Sequence, residues 1–559
     1  MATQTPSPSE LPARRQPKAH LTWCLIGLCL FAAPASAATY YVRSDGGDAR
    51  QCDGLADAPH DGRSHSCAWK HPFFALPPHG RARIGGGDTL VIASGSYRMG
   101  LGAPGSEDCS EDDSDECVMA SPPSGPSSDR PTRLVGQSAT GACKAPPELW
   151  ATQGASAVVR LDDVDNVELS CLDITDHSSC ILDHNRDGDA TGETSRCAEV
   201  PPYGDWGDTG LHAADARNIV LRDINVHGLA GNGVRAGRLR DWTLQRVTLR
   251  ANGWAGWDGN LNEGEGTSSS NSGYLRFSDG EIAWNGCGER YPGKQIFGCW
   301  AQQQGGYGDG LGTAESGGNW SFEDMRVHHN TSDGLDLLYM DGSGSVTVRR
   351  VRSEGNAGNQ IKVSGPVLIE NSIAVGSCAF FESFPTSNLG DGDHCRAKGN
   401  ALSIRPTHGS LSTIRHNTVT GQGDCLMITT QGDTSARVLV QNNAFIGGPE
   451  WRQGLLGGFT CAHFAVDSDT PVTFQRNLFW QVKDDFCPAG NVCAREPRVT
   501  QARLTRFDAT PLPGSPLIDA GETLPQTSRD YFGRPRPVGA APDIGAVEYR
   551  AGASSSPAR

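Results

Sequence analysis

An all-β solenoid, the right-handed parallel β-helix with disulfide-stapled loops, is the fold this sequence predicts. Three observations carry the prediction: a composition built for turns, a recurring unit near 24 residues, and an even number of cysteines beyond a leader segment.

Composition comes first. Glycine supplies 70 of 559 residues, proline 34 and methionine only 6. Long amphipathic helices favour Ala, Leu, Glu and Lys and tolerate little glycine. Short strands between tight turns favour Val, Thr, Gly, Asn and Asp. A chain of this length exceeds one ordinary core, so an elongated repeat or several domains is required.

The repeat decides between them. Asn218-Ile-Val-Leu-Arg-Asp-Ile-Asn-Val-His227 is followed by Gly231-Asn-Gly-Val234. Trp320-Ser-Phe-Glu-Asp-Met-Arg-Val-His-His-Asn330 is followed by Ser332-Asp-Gly-Leu-Asp336. Val346-Thr-Val-Arg-Arg-Val-Arg-Ser-Glu-Gly-Asn356 is followed by Gly358-Asn-Gln-Ile-Lys362. Each unit holds short alternating strands broken by Gly, Asn or Asp. Such strands bury a face only by stacking coil on coil. Propeller blades, at about 40–45 residues, are too long for this period.

The N-terminus reads as a signal peptide. Arg14, Arg15 and Lys18 precede the apolar stretch Leu21 to Ala33, and Ala35-Ser36-Ala37 supplies a small-residue cleavage pattern. The stretch is too short to span a bilayer, and no later segment is apolar enough to do so. Secretion, to the periplasm or outside the cell, is therefore expected. Of 18 cysteines, Cys24 and Cys29 lie in the leader, which leaves an even set. Cys52/Cys67, Cys109/Cys117, Cys287/Cys299, Cys378/Cys395 and Cys487/Cys493 are close in sequence and are expected to be local staples.

The chain divides into a signal peptide at 1–37, an N-terminal cap and first coils with long loops at 38–204, helix repeats at 205–500, and a C-terminal cap and tail at 501–559. The last part contains Pro513-Gly-Ser-Pro-Leu-Ile-Asp-Ala-Gly521 and Pro542-Asp-Ile-Gly-Ala-Val-Glu-Tyr549. It resembles the closing segment of many secreted β-helix proteins, which implies a structural cap over the last coil.

The formal net charge is −16, and loss of the leader makes the remainder more acidic. Nucleic acid is a poor partner for such a chain. An acidic polysaccharide fits only with a local basic strip or a bound cation. A monomer is expected.

Aligning the coils on an Asn/Asp-x-apolar pattern gives Asn232, Asp309, Asp333, Asn359, Asn400 and Asp424 in one column. Three residues on, the column reads Arg235, Gly312, Asp336, Lys362, Ser403 and Met427. Asp309 to Asp333 is 24 residues and Asp333 to Asn359 is 26, so these lie on successive coils. Leu335, Leu337, Ile361 and Val363 should point inward, which turns Asp336 and Lys362 outward on adjacent rungs about 4.8 Å apart. Asp309 and Asp333 stack beside them. Oxygen-only ligands suit a hard cation, Ca²⁺ above all outside the cell. A lysine beside such an ion has a lowered pKa and can act as a base. That is the chemistry of a uronate lyase, which removes the proton α to a sugar carboxylate.

The run Asn330-Thr-Ser-Asp-Gly-Leu-Asp-Leu337 with Gly358-Asn-Gln-Ile-Lys-Val-Ser-Gly365 resembles the family 9 polysaccharide lyases. The match spans Tyr307 to Gly365. It implies calcium ligands at Asp309, Asp333 and Asp336, and a base at Lys362. Ser332 stands where that family has an aspartate. Arg235, Arg326, Arg349, Lys398 and Arg405 are candidates for holding an acidic substrate, and Trp254, Trp257 and Trp300 for stacking on sugars.

Two other functions remain open on sequence. A β-helix glycoside hydrolase would use paired carboxylates such as Asp333 and Asp336, although the Gly-His-Gly motif of polygalacturonases is absent. A non-catalytic carbohydrate-binding or adhesion module would use the same fold.

Overall fold

Strands three to six residues long gain little alone, and here they are paired in parallel with their copies one coil away. The computed structural model describes residues 37–551 apart from 138–142, 183–195, 262–269, 301–306, 384–386, 389–394, 396–398 and 452–457. The expected leader and Lys398 lie outside the described residues.

One face of the solenoid is a ten-stranded sheet. Its strands run from Ala155–Arg160 through Gly207–Ala214, Asn232–Gly237, Trp257–Gly259, Leu311–Thr313, Leu335–Leu337, Ile361–Ser364, Leu402–Arg405 and Cys425–Thr430 to Cys461–Val466. Every neighbour pair in it is parallel. The remaining strands of each coil join a 23-stranded sheet. This is the parallel β-helix that the repeat predicts.

Rung-on-rung stacking repeats in the interior. Phe277 stacks on Phe322 at 5.0 Å and Phe445 on Phe479 at 5.2 Å, between ring centroids. Trp257, a candidate for sugar stacking, is instead fully buried, edge-on to Trp242 at 6.0 Å. Its place in the alternation points it inward, and its large apolar surface fills the core.

Two buried asparagine ladders fix the corners. Asn252, Asn285 and Asn330 each donate Nδ2 to the Oδ1 of the next coil's asparagine, at 3.0, 2.9 and 2.7 Å, ending on Asn356. Gln360 Oε1 caps the series by accepting from Asn356 Nδ2 at 2.8 Å. A second ladder runs Asn417, Asn443, Asn477, Asn491 at 3.0, 2.9 and 3.0 Å. The side-chain amide both donates and accepts, so one residue type satisfies itself indefinitely along the axis. The first ladder sits just before the turns that carry Asp333 and Asn359.

Eight disulfides staple the fold, including all five expected local pairs. The other three join Cys143 to Cys171, Cys180 to Cys197 and Cys425 to Cys461. Long insertions leave the coil after strands Asp165–Asp176, Glu281–Ala283 and Ile373–Gly376, at the corner where the chain next enters the ten-stranded sheet. Cys180–Cys197, Cys287–Cys299 and Cys378–Cys395 each close one of them. Two insertions are knitted together where Cys299–Trp300 pairs with Ser387–Asn388, over a cluster of Cys287, Ala357 and Phe381.

The C-terminal segment packs along the flank of the solenoid, across several coils, rather than over the last one. Leu517, Ile544, Ala546 and Val547 cover Ile373, Val375, Ala444 and Leu478. Thr527 Oγ1 donates to Glu370 at 2.9 Å.

Removing a mid-ladder amide leaves buried donors and acceptors on both neighbours. Asn330→Ala should therefore cost about 2–4 kcal/mol, and Asn491→Ala at the half-buried ladder end about 1 kcal/mol. Equilibrium urea unfolding checks both, and equal costs would contradict the ladder's role.

Candidate active site

Asp336 and Lys362 are direct register partners on neighbouring strands. Leu335, Leu337, Ile361 and Val363 are wholly buried, so alternation turns the two charged side chains to the outer face. Lys362 Nζ donates to Asp336 Oδ2 at 2.7 Å and to Asp333 Oδ2 at 2.9 Å.

Asp309 and Asp333 belong to a second ladder at the start of the strands. Asp309 Oδ1 accepts from the backbone N of Asp333 at 3.0 Å. Asp333 Oδ1 accepts from the backbone N of Asn359 at 2.6 Å and from its Nδ2 at 2.8 Å. Asn359 Oδ1 accepts from Asn400 Nδ2 at 3.3 Å. The Asp-Gly pairing is explained by space. A Cβ on Gly310 would lie 2.5 Å from the carbonyl oxygen of Gly334, and one on Gly334 equally close to that of Gln360. Gly358 likewise leaves room for Asp333, whose Oδ1 would sit 2.3 Å from a Cβ there.

Three carboxylates thus face one ammonium in a largely buried setting. Burial, with the fields of Asp333 and Asp336, pushes the Asp309 carboxyl well above the usual range. Burial also raises Asp336, to about 6, against the pull of Lys362. Asp333 goes the other way. Burial opposes its charge, but the field of Lys362 and the bonds from Lys362 and Asn359 outweigh that and hold its carboxyl below the usual range. Lys362 is desolvated too, yet the three carboxylates overcome this and hold its proton more firmly than in free lysine. Without a cation beside it, the lysine's shift is upward, because the pull of the carboxylates exceeds the cost of its burial.

The donor set is all oxygen and carries surplus negative charge, which fits a hard cation. Among the described residues, no three of these carboxylates bring oxygens within 4.8 Å of one another. Lys362 sits between Asp333 and Asp336 in their place. The one group that does converge, Cys52, His60 and Cys67, contains a disulfide and is no metal site.

Other candidates fall in different places. Arg405 is on the strand next to Lys362, opposite Ser364, one outward position along. Arg235 shares the Lys362 column but lies four rungs away. Arg326 and Arg349 belong to the 23-stranded sheet, paired with Glu281 at 3.2 Å and Glu370 at 3.0 Å. Arg326 lines a separate cavity of about 370 Å³ with Arg350 and Tyr531. Trp254 packs edge-on against Tyr307 at 5.2 Å. Met427 is a core residue paired with Leu402, so the expected column slips by one, and Ile428 is the partner of Ser403. Cys425, not Asp424, takes the turn position, pinned to Cys461 on the next rung. By sequence Asp258 extends the Asp/Asn turn column only loosely, and the register puts it in the Lys362 column instead. It stands in the column between Arg235 and Gly312, and burial raises its carboxyl to about 6.

No protein-family model matches the sequence, and no curated protein matches it. Among solved structures the chain is similar to pectate lyase Pel9A, at 14% identity over 92% of this chain and 97% of that one, with a TM-score of 0.42. It is also similar to an alginate lyase from Paenibacillus sp. str. FPU-7, at 10% identity over 69% and 91%, TM-score 0.31. A third is PfbA, a surface adhesin of Streptococcus pneumoniae, at 9% identity over 73% and 86%, TM-score 0.32.

A raised carboxyl means the folded state keeps a proton that the unfolded chain releases. For Asp336 the resulting penalty is absent below about pH 4, grows as pH rises toward about 6 and is complete above it, and Asp309 shifts in the same direction. In cation-free buffer, Asp309→Asn should stabilise the protein at pH 7. The gain should vanish near pH 4. Urea midpoints across that range check this, and a pH-independent difference would contradict it.

Proposed function

We propose that this chain is a secreted polysaccharide lyase that cleaves an acidic, uronate-containing, pectate-like polymer by β-elimination. The single observation behind this reading is the outward Lys362 amine held within 2.9 Å of two carboxylates, with a third beside them. The family 9 resemblance of the same residues supports it. So do eight disulfides, which suit an oxidising compartment. No helix among the described residues is long and apolar enough to cross a membrane.

Asp309, Asp333 and Asp336 would hold a calcium ion, which supplies charge stabilisation next to the substrate carboxylate. Lys362 removes the proton α to that carboxylate, and the 4-linked sugar oxygen departs. To act as a base, Lys362 must first lose the fields that keep it protonated, so Asp333 and Asp336 must turn to another partner. Arg405, one strand over, is positioned to bind a neighbouring acidic sugar. Ser332 removes one charge from the cluster relative to the family pattern. Cation affinity should be correspondingly weaker.

A second reading has its own observation. Asp258 and Asp336 stand two rungs apart, about 9.6 Å between backbones, and both are raised to about 6. Between them lies Gly312, which has no side chain. Carboxyls about 6.5–9.5 Å apart suit an inverting glycoside hydrolase.

Products separate these readings. Digestion of polygalacturonate and alginate should raise ultraviolet absorbance from unsaturated ends. Lys362→Ala should lower the rate at least about 10²-fold while folding normally. Chelation should suppress turnover and added calcium restore it. New reducing ends without the absorbance favour the hydrolase, and no cleavage of any acidic glycan favours a binding module.

A further inference from the structure

The column through Lys362 continues well beyond the carboxylate cluster. In register it runs Arg235, Asp258, Gly312, Asp336, Lys362, Ser403, Ile428, Phe464. Seven steps at about 4.8 Å make a line of about 34 Å along the solenoid axis. Lys362 lies about 19 Å from one end and 14 Å from the other.

The two ends differ in chemistry. Arg235 is anchored through Nε, which donates to the carbonyl oxygen of Asn260 at 3.2 Å. Its nearest acid, Asp258, is 3.9 Å away at Nε. Among the described residues its two terminal nitrogens make no hydrogen bond, so the guanidinium fork is left to present to a carboxylate. Arg160 and His212 prolong the column past Arg235. They are already tied to Glu116 and Asp162, each at 2.9 Å. Arg235 is therefore the cation of this end best placed to take a ligand.

At the opposite end Phe464 is 59% exposed. It lies on the terminal strand of the sheet, next to His463, which is the register partner of the core residue Met427 and packs beside Phe474 at 5.5 Å, and to the exposed Ala465. An exposed ring on the outer face of a sheet is an open apolar platform, suited to the C–H face of a sugar. Ser403 and Ile428 between it and Lys362 carry no charge, so nothing in the column repels a sugar lying there.

We infer that this column is a binding track for an anionic polysaccharide lying along the axis. Arg235 reads a sugar carboxylate on one side of Lys362, and Phe464 stacks on a sugar ring on the other. The inference rests on the lyase reading for its substrate class, and adds two specificity residues far from the reacting atoms. Cleavage then falls within the bound chain and needs a substrate long enough to reach past Lys362 in both directions.

The test is calorimetric titration with oligogalacturonates of increasing length, in an inactive Lys362→Ala background so that the ligand survives. Affinity should climb with length and then level off. Phe464→Ala and Arg235→Ala should each weaken binding of the long oligomers about tenfold and leave the dimer unchanged. In the active enzyme the same substitutions should raise KM on polymer without moving the pH profile of kcat.

Equal losses on long and short oligomers, or no loss on either, overturn the track. So does a Phe464→Ala variant that alters the sedimentation of the protein but not its oligomer affinity, since Phe464 would then be a contact between copies. If the wild type cleaves uronate polymers while the variants bind normally, the track alone fails. If it neither binds nor cleaves any uronate, the lyase reading fails with it.

Discussion

Parallel pairing at a fixed rung spacing is the constraint on which everything else rests. It converts a sequence offset into a spatial contact. Asp336 and Lys362, 26 residues apart, become register partners, and Asp333 is drawn onto the same amine. The asparagine ladder keeps this register from drifting. A slip of one residue would turn Lys362 into the core and Ile361 outward. The ladder's buried amides, satisfied only by their counterparts one coil away, make such a slip costly.

The site departs from the economy of the rest of the fold. Elsewhere charges meet in simple pairs, as in Arg246 with Asp223, or in groups where two cations share one acid, as Arg349 and Arg415 share Glu370. Here three acids share one lysine. Burial first, and then the like charge of Asp333 and Asp336, drives Asp309 toward its neutral form against the pull of Lys362. Under the proposed lyase reading, this surplus of negative charge is what would receive a cation.

Much of this was legible in the sequence. The inward Leu335, Leu337, Ile361 and Val363 follow from alternation, and Asp336 beside Lys362 follows from counting. Five disulfides followed from proximity. Cys180 and Cys197 are no farther apart than Cys378 and Cys395, so that staple was within reach of the same reasoning. Cys143–Cys171 and Cys425–Cys461 join different coils, which proximity in sequence does not reveal. The one-residue slip at Met427 arose because a cysteine, not an acid, occupies the turn there. Asp258 fits the turn column only loosely in sequence because a long insertion separates it from Gly312, its partner on the next rung. Arg326 and Trp257 needed knowledge of which sheet, and which side of it, each strand presents. Local pattern supplies the period but not the face on which an isolated charged or aromatic residue falls.

The central claim is that the amine of Lys362 takes a proton from the carbon next to a sugar carboxylate. Turnover of a uronate oligomer carrying deuterium at that carbon tests it most directly. The account predicts slower cleavage than with hydrogen, and a product that has lost the deuterium. Cleavage at an unchanged rate, with the deuterium retained beside a new reducing end, would contradict it.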